Sequence, residues 1–352
     1  MNDKIYLNVF LKRLSKIERL RYMAVTIKDI AQLGGVSIAT VSKILNNKSD
    51  DIGRETIDRI KKIIEESGYV PNSIARSMVT KATKTLGLII PDVSNPFFTN
   101  LVRGAEDTAN QYGYTIFIGN TDDDIDKEIK YIKTLEGKKV DGILLAGAAI
   151  RNKEKEKNLN ILVPTVAIDR NVYYEQIKGI VEVDNFNGSY EAVNYLIKKG
   201  YKDIIFVSGP WDTKPTIDRY EGYKKALLDN NLEFNTDNVY SGTYTKEFGE
   251  KIAQKIYKIC KDKAIFCGND LIAFGIVNVL KKKGIAIPKD TSVMGFDDID
   301  ICTFISPELT TVRQPSYDIG CEGVKMLIDI LENREAERHK IIRTKLVIRE
   351  SS

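Results

Sequence analysis

The alternation of apolar strand-like runs with amphipathic helical segments, from Lys84 onward, is the feature that most limits the fold of this chain. The run TLGLIIPD is followed by a helical pattern from Asn95 to Gly113, and the alternation recurs up to the run SVMGFDD and a helix over Tyr317–Asn333. Continuous apolar strands with intervening helices predict parallel sheets covered on both faces. About ten strands are too many for one small sheet. We therefore predict an α/β core of two doubly wound parallel-sheet lobes.

The residues before this core show a different, all-helical pattern. Thr26 and Asp29 have the spacing of a capping box, Gly34–Gly35 breaks the first helix, and Ser37 caps a second one. A third helix is predicted over Arg54–Ser67. Two short helices joined by a glycine turn are typical of a helix-turn-helix, so we predict a small all-α headpiece.

Charge distribution points to the partner of this headpiece. Residues 1–84 hold 16 Lys and Arg against 9 Asp and Glu, a net charge of +7, whereas the remaining residues carry a net charge of −3. A basic N-terminal quarter indicates a polyanionic partner, although an ordinary three-helix bundle without nucleic acid is the alternative. The exposed face of the second helix suits the DNA major groove, where Lys43 can donate to guanine and Ile38 and Ala39 can touch thymine methyl groups. The expected DNA-binding residues are Thr26, Ser37, Ile38, Ala39, Thr40, Ser42, Lys43, Asn46, Asn72, Ala75 and Met78.

Several function classes are not expected. None of the four cysteines forms a CxxC pair or lies near the single histidine, His339, so we expect neither a metal site nor a cofactor. The GxSxG, P-loop and HExxH motifs of common enzyme classes do not occur. No apolar run approaches the roughly 20 residues that span a bilayer, and residues 1–22 lack the pattern of a signal peptide. We expect a cytoplasmic protein that is not an enzyme and has no membrane partner.

Three runs, TIKDIAQLGGVSIATVSKILNN, GYVPNSIARSM and KTLGLIIPDVSNPFF, resemble the lactose-repressor (LacI/GalR) family of bacterial transcription regulators, and the resemblance extends from Val25 to about Glu350. It implies a core like type I periplasmic binding proteins, whose chain crosses between the lobes three times. It also implies that hinge helices of two subunits pair in the minor groove, where Met78 wedges between base pairs. A homodimer on a pseudo-palindromic operator is expected. The expected domains are a basic extension (1–22), the headpiece (23–69), a hinge helix and linker (70–84) and the core (85–352).

Polar and aromatic residues lie at or after the carboxyl ends of the core strands, where open α/β sheets bind ligands. Aromatic rings pack on the C–H faces of sugars, while Asp, Asn, Arg and Gln pair with sugar hydroxyls. The expected effector-binding residues are Asn95, Phe97, Phe98, Asp169, Arg170, Arg219, Tyr244, Asn269, Asp297 and Gln314. They resemble the pocket of ribose-binding periplasmic proteins, with Tyr244 in place of a phenylalanine, which implies a monosaccharide such as ribose. Trp211 either lines this pocket or only covers it.

Two regulatory mechanisms remain open. The first is a repressor whose operator affinity is controlled by a small sugar. The second is a catabolite-control regulator governed by a protein corepressor, since Val36–Asn46 is compatible with both groups. The full set of sugar-binding groups favours the first. The adjacent Asp297 and Asp298 are not expected to form a catalytic acid pair, because neighbours on an extended chain point to opposite faces.

Overall fold

The computed structural model describes residues 25–46, 48–69, 82–148, 159–170, 172, 174 and 176–352. The chain divides into two compact units between Thr83 and Lys84. The expected basic extension, and the hinge positions Asn72, Ala75 and Met78, lie outside the described residues. No helix in the described ranges is long and apolar enough to cross a membrane.

The N-terminal unit contains the three predicted helices: α1 (Ile27–Gly34), α2 (Ile38–Leu45) and α3 (Arg54–Ser67). The capping box at the start of α1 is confirmed, because the Asp29 carboxylate accepts a hydrogen bond from the backbone N–H of Thr26 at 2.9 Å. The Ser37 hydroxyl caps α2 by accepting from the N–H of Thr40 at 3.0 Å. The buried centre of this unit consists of Ile30, Ala31, Val41, Ile44 and Ile60.

The predicted glycine break after the first helix is confirmed. Helix α1 includes Gly34, and Gly35 alone takes the left-handed conformation, with φ of 63°. A Cβ atom on Gly34 would lie 2.0 Å from Cδ1 of the buried Ile60. Gly34 therefore allows α1 to pack closely against α3, while Gly35 ends the helix.

The C-terminal unit, called the core, contains two six-stranded sheets among its described residues. The sheet of the first lobe has the order β11-β5-β4-β3-β1-β2, and that of the second lobe the order β12-β10-β9-β8-β6-β7. The strands are β1 (Thr85–Ile90), β2 (Thr115–Asn120), β3 (Gly142–Leu145), β4 (Thr165–Ile168), β5 (Ile177–Val183), β6 (Ile204–Ser208), β7 (Val239–Ser241), β8 (Ala264–Cys267), β9 (Ser292–Asp297), β10 (Thr310–Arg313), β11 (His339–Ile342) and β12 (Lys345–Val347).

Helices cover the two sheets, as the apolar strands predicted. They are α4 (Pro96–Gln111), α5 (Ile125–Gly137), α6 (Asn185–Lys198), α7 (Lys214–Asp229), α8 (Lys246–Ile256), α9 (Asp270–Lys282) and α10 (Ser316–Leu331). Helix α10 packs on α4 and on strands β3 to β5 of the first lobe. Helix α6 packs on α7 and against β10 and β12 of the second lobe. The two-lobed α/β prediction is confirmed.

The chain crosses between the lobes three times, as the family resemblance implied. Strands β1 to β5 belong to the first lobe, β6 to β10 to the second, β11 to the first and β12 to the second. The ladders are parallel except for one edge, where β12 runs antiparallel to β10. The predicted parallel sheets are confirmed, with this one antiparallel edge strand in the second lobe.

Candidate functional site

The exposed face of α2 carries the residues expected to read DNA. Ser37, Ile38, Ala39, Lys43 and Asn46 are exposed, and Ile38 keeps 44% of its surface accessible although it is apolar. Thr40 and Ser42 are half-buried on the same short helix, whereas the exposed Thr26 is engaged in capping α1.

Lys43 is paired within its own unit. Its ammonium group binds the Asp51 carboxylate, which lies before α3, and this contact lowers the pKa of Asp51 below its ordinary value. Both side chains remain half-exposed or more, so water and salt screen the pair. Lys43 must share or release Asp51 to contact a base.

A cleft in the core brings all ten expected effector-binding residues together. It encloses about 290 Å³ that atoms do not fill, part of it open to solvent. The first lobe contributes Asn95, Phe97, Phe98, Asp169 and Arg170, while Arg219, Tyr244, Asn269 and Asp297 come from the second lobe and Gln314 from the segment after β10. Several of them stand where parallel strands end, which is the position that predicted them.

Two asparagines have a structural role as well as a place in the cleft. Asn95 caps α4, with its Oδ1 accepting from the N–H of Phe97 at 3.1 Å. Asn269 caps α9 in the same way, accepting from the N–H of Ile272 at 2.9 Å, and its amide donates to the Tyr244 carbonyl at 3.3 Å. Both asparagines therefore cap helices. These hydrogen bonds also hold their side-chain amides at the N-termini of α4 and α9.

Two buried carboxyl groups face the cleft. Burial raises the pKa of Asp297 well above its ordinary value of 3.8, and Asp270 raises it further, while Arg219 acts in the opposite direction. Burial also raises the pKa of Asp169, which Arg170 and Arg219 counteract. Asp169 has a left-handed backbone with φ of 62°. Both carboxyl groups are shielded from water. A ligand that forms hydrogen bonds with them would therefore bind favourably.

Two arginines provide the donors. Arg219 donates through Nε to Asn185 at 2.9 Å and through Nη1 to the Gly268 carbonyl, and its guanidinium lies 3.8 Å from the centre of the Phe296 ring. Arg170 donates through Nη1 to Asp123 at 2.7 Å. Both are almost fully buried, so their positions are fixed before any ligand arrives.

Aromatic rings form the apolar walls. Phe97 and Phe98 meet edge to face with ring centres 5.0 Å apart. The Tyr244 ring lies 5.6 Å from the Arg170 guanidinium and 5.9 Å from that of Arg219. Its hydroxyl is 2.7 Å from the hydroxyl of Thr216, outside the residues that line the cleft. Tyr244 therefore presents its ring face to the cleft, as the phenylalanine it replaces would.

One buried acceptor in the cleft lacks a partner among the described residues. Gln314 is 4% exposed, and its amide Nε2 donates to Asp297 at 2.5 Å. Its Oε1 atom is buried without a hydrogen bond. Such an atom destabilises a folded protein by roughly 1–3 kcal/mol unless it is satisfied. A ligand hydroxyl in the cleft would satisfy it.

Three contributions escaped the sequence analysis. Pro215 lines the cleft from the first turn of α7, while Asp123 and Asn185 hold the two arginines from behind. Only the proline at the start of a predicted helix gave any signal in advance. Trp211, which was left open, does not line the cleft; it packs edge-on against Tyr220 at 5.0 Å and is 44% exposed.

The neighbouring Asp298 does not line the cleft, as expected, but strand alternation is not the reason. Strand β9 ends at Asp297, and Asp297 and Asp298 both have positive φ angles, of 129° and 60°. The Asp298 carboxylate binds Arg349 and Arg313, each at 2.6 Å. Within the described ranges, no group of three His, Cys, Asp or Glu side chains is arranged to hold a metal ion. The cleft residues offer aromatic rings and hydrogen-bonding groups to a small polar molecule.

Comparison with known proteins gives the same two-part division. The model of bacterial regulatory proteins of the lacI family matches residues 26–72, and the model of periplasmic binding proteins and the sugar-binding domain of the LacI family matches residues 83–350. The transcriptional regulator RegA of Clostridium acetobutylicum is 40% identical over 333 residues, covering 94% of this chain and 99% of the relative. The ribose operon repressor of Halalkalibacterium halodurans is 36% identical, covering 93% and 97%. Catabolite control protein A of Priestia megaterium is 34% identical, covering 91% and 96%.

Solved structures agree with the fold. A LacI-type regulator from Enterococcus faecium with bound ribose is 29% identical, with a TM-score of 0.67 over 76% of this chain and 98% of the other. The lac repressor dimer bound to operator is 21% identical, with a TM-score of 0.81 over 93% of this chain and 98% of the other.

Proposed function

Because this chain belongs to the LacI family, and is a DNA-binding transcriptional regulator rather than an enzyme, we propose that a monosaccharide bound in the core cleft controls its affinity for an operator. A pentose such as ribose is the first candidate. The proposal includes the DNA-binding and effector-binding residues and the domain boundaries that were predicted from the sequence. It also includes action as a repressor on a pseudo-palindromic operator.

The observation that carries the proposal is the composition of the cleft. Aromatic ring faces, two buried arginines, two buried carboxyl groups and the unsatisfied Oε1 of Gln314 converge from both lobes. Sugars present apolar C–H faces and many hydroxyls that both donate and accept, so they match such a set.

The relatives support the same ligand class. A ribose operon repressor is 36% identical over nearly its whole length, and a regulator with bound ribose shares the fold of the core at 29% identity. Tyr244 turns its hydroxyl to Thr216, so the substitution of phenylalanine by tyrosine leaves the cleft wall aromatic. This supports a pentose as the first sugar to test.

The DNA side of the proposal assigns base contacts to Ile38, Ala39 and Lys43 on α2. The hinge positions Asn72, Ala75 and Met78, outside the described residues, complete the proposed contacts. One headpiece covers few base pairs, so a homodimer on a two-fold site is proposed. Exposed apolar side chains at edge strand β2 support a dimer contact on the first lobe. Phe117 and Ile118, on opposite faces of β2, and the nearby Val93 are each more than 40% exposed. Such a regulator acts where the chromosome is, so we propose a cytoplasmic location.

Regulation by a protein corepressor is the second candidate. Catabolite control protein A is 34% identical to this chain, which supports it. The buried, hydrogen-bonding cleft supports the sugar instead, since its aromatic rings, arginines and carboxyl groups match a small polyol.

Calorimetry with a panel of pentoses and hexoses tests the proposal. We expect at least one sugar to bind the full-length protein, and Asp169→Asn to weaken that binding at least tenfold by removing a charged hydrogen-bonding group. Asparagine tolerates the left-handed backbone at this position. The exposed Asp229→Asn variant is the matched control, since Asp229 pairs with Lys225 on the surface. If no sugar gives a binding heat and a corepressor protein tightens operator binding, the sugar-controlled function is wrong. Regulation by a protein corepressor then takes its place.

A further inference from the structure

The guanidinium of Arg170 lies beside the carboxyl group of Asp169 in the cleft without forming a close ion pair with it. Arg170 is 7% exposed, and its Nε lies 3.7 Å from the Oδ2 of the adjacent Asp169. This distance exceeds the 2.7–3.2 Å of a normal N–H···O hydrogen bond. A buried guanidinium beside a buried carboxylate would ordinarily close onto it in a two-pronged pair. Something else therefore holds the guanidinium in place.

Asp123 provides that restraint. Its Oδ1 accepts a hydrogen bond from Arg170 Nη1 at 2.7 Å, and the Gly147 carbonyl accepts from the same nitrogen at 3.3 Å. Burial by itself lowers the pKa of Arg170, but Asp123 and Asp169 outweigh it and raise the pKa above the ordinary value. Asp123 does not line the cleft. It acts on the cleft through Arg170, which it holds, and through its charge, which contributes to raising the pKa of Asp169.

The connection between β2 and α5 places Asp123 there. Asp122 and Asp123 both have left-handed backbones, with φ of 53° and 56°. The Asp122 carboxylate accepts hydrogen bonds from the side chains of Asn120 and Lys127, whereas the Asp123 carboxylate accepts one from Arg170. The N–H of Asp123 donates to the Pro91 carbonyl at 3.2 Å, which ties the loop to the end of β1. Two consecutive left-handed residues that are not glycine are uncommon, and they direct adjacent carboxylates to different partners.

We propose that Asp123 is a positioning residue of the effector site, which holds Arg170 away from Asp169 so that both groups remain available to hydroxyls of the ligand. The inference rests on the proposed sugar-binding function. Without Asp123, the guanidinium closes onto Asp169, and a ligand must break that pair before it can bind. Effector affinity is thus set partly by a residue that never touches the effector.

Calorimetry with the sugar that binds wild type tests this, with the neighbouring aspartate as the matched control. Glycine suits the left-handed backbone at either position. We expect Asp123→Gly to weaken sugar binding roughly tenfold, the loss of one charged hydrogen bond, and Asp122→Gly to stay within twofold of wild type. Asp123→Asn keeps an acceptor oxygen without the charge, so it should recover most of the affinity. Circular dichroism at the same temperature verifies that each variant is folded.

The outcomes separate the two proposals. If wild type binds no monosaccharide, the proposed function fails and this inference fails with it. If wild type binds a sugar but Asp123→Gly stays within twofold, or Asp122→Gly weakens binding equally, only the positioning role is overturned. Should Asp123→Gly not fold, Asp123→Ala against Asp122→Ala decides, because the positioning role requires weaker binding in the first variant alone.

Discussion

At the level of single residues, the buried carboxyl groups of the cleft are expected to favour effector binding and to lower the stability of the folded protein. Asp297 is 6% exposed, its neighbour Asp270 is fully buried, and Gln314 donates to Asp297 at 2.5 Å. Burial raises the pKa of Asp297 well above 3.8. A buried carboxyl group of this kind destabilises the folded protein. Destabilising residues of this kind are common at functional sites.

Replacing Asp297 by asparagine should therefore stabilise the protein and weaken effector binding. The folded protein retains the Asp297 proton at pH values where the unfolded chain has released it, so wild-type stability falls as the pH rises from about 4 through the raised pKa. An asparagine at this position has no such dependence and keeps an acceptor for Gln314. We expect the variant to gain about 1 kcal/mol at neutral pH, with a smaller gain near pH 4, and to bind sugar at least tenfold more weakly.

Thermal melting at several pH values, with calorimetry for the sugar, measures both effects. The surface variant Asp229→Asn is a suitable control for the loss of one charge. A variant that melts below wild type at neutral pH, or that binds sugar as tightly as wild type, would contradict this account of Asp297.

Residues that line the cleft were predictable because strand ends are visible in the sequence. Asp169, Asn269 and Asp297 lie at or just after the ends of apolar runs. Asp123 and Asn185 could not be found in this way, since they act through Arg170 and Arg219 and depend on which loops the fold brings behind those side chains. Nothing in local spacing records such contacts.

At the level of helices and strands, glycines set how closely helix pairs approach. In the α4–α10 pair, a Cβ atom on Gly104 would lie 2.0 Å from the Tyr317 carbonyl oxygen, and one on Gly320 would lie 2.1 Å from that of Leu101. In the α6–α7 pair, Gly222 meets the Phe186 carbonyl in the same way. The helices are in backbone contact at these points, which no larger residue permits.

Gly104→Ala should therefore destabilise the first lobe. The added methyl group meets backbone atoms, which cannot rotate away as a side chain would, so we expect a loss of roughly 1–3 kcal/mol and a melting temperature several degrees lower. Gly137→Ala in α5 is the matched control, because a Cβ atom there meets nothing within 4 Å and alanine favours a helix.

Thermal melting of the two variants beside wild type makes the comparison. The control should melt at or slightly above the wild-type temperature. Equal melting temperatures for Gly104→Ala and wild type would show that the two helices can move apart without loss, and the close-contact account would be wrong.

Most helices and the longer strands were predicted within a few residues. The omitted strands, β10, β11 and β12, have three or four residues each, and β11 and β12 are half-exposed. Their sequences lack the continuous apolar run that marked the other strands. They form because the chain crosses back between the lobes, which is a property of the whole fold and not of local sequence.

At the level of the whole molecule, the cleft is made by two lobes that three chain crossings join. The headpiece precedes β1 of the first lobe in the sequence. A sugar that holds the lobes together changes DNA affinity only by as much as it prefers one arrangement of the protein over another. Binding in the cleft and control of the operator are therefore separate claims, and the second is central.

The most direct test measures operator affinity by fluorescence anisotropy, without sugar and at saturating sugar, on a duplex selected with the full-length protein. Our account predicts that the sugar changes the dissociation constant by about 5- to 150-fold, the usual range of coupling between sites. It also predicts that Asp169→Asn binds the operator as wild type does without sugar and responds only at far higher sugar concentrations. An operator affinity that stays the same when wild-type protein is saturated with sugar would contradict it.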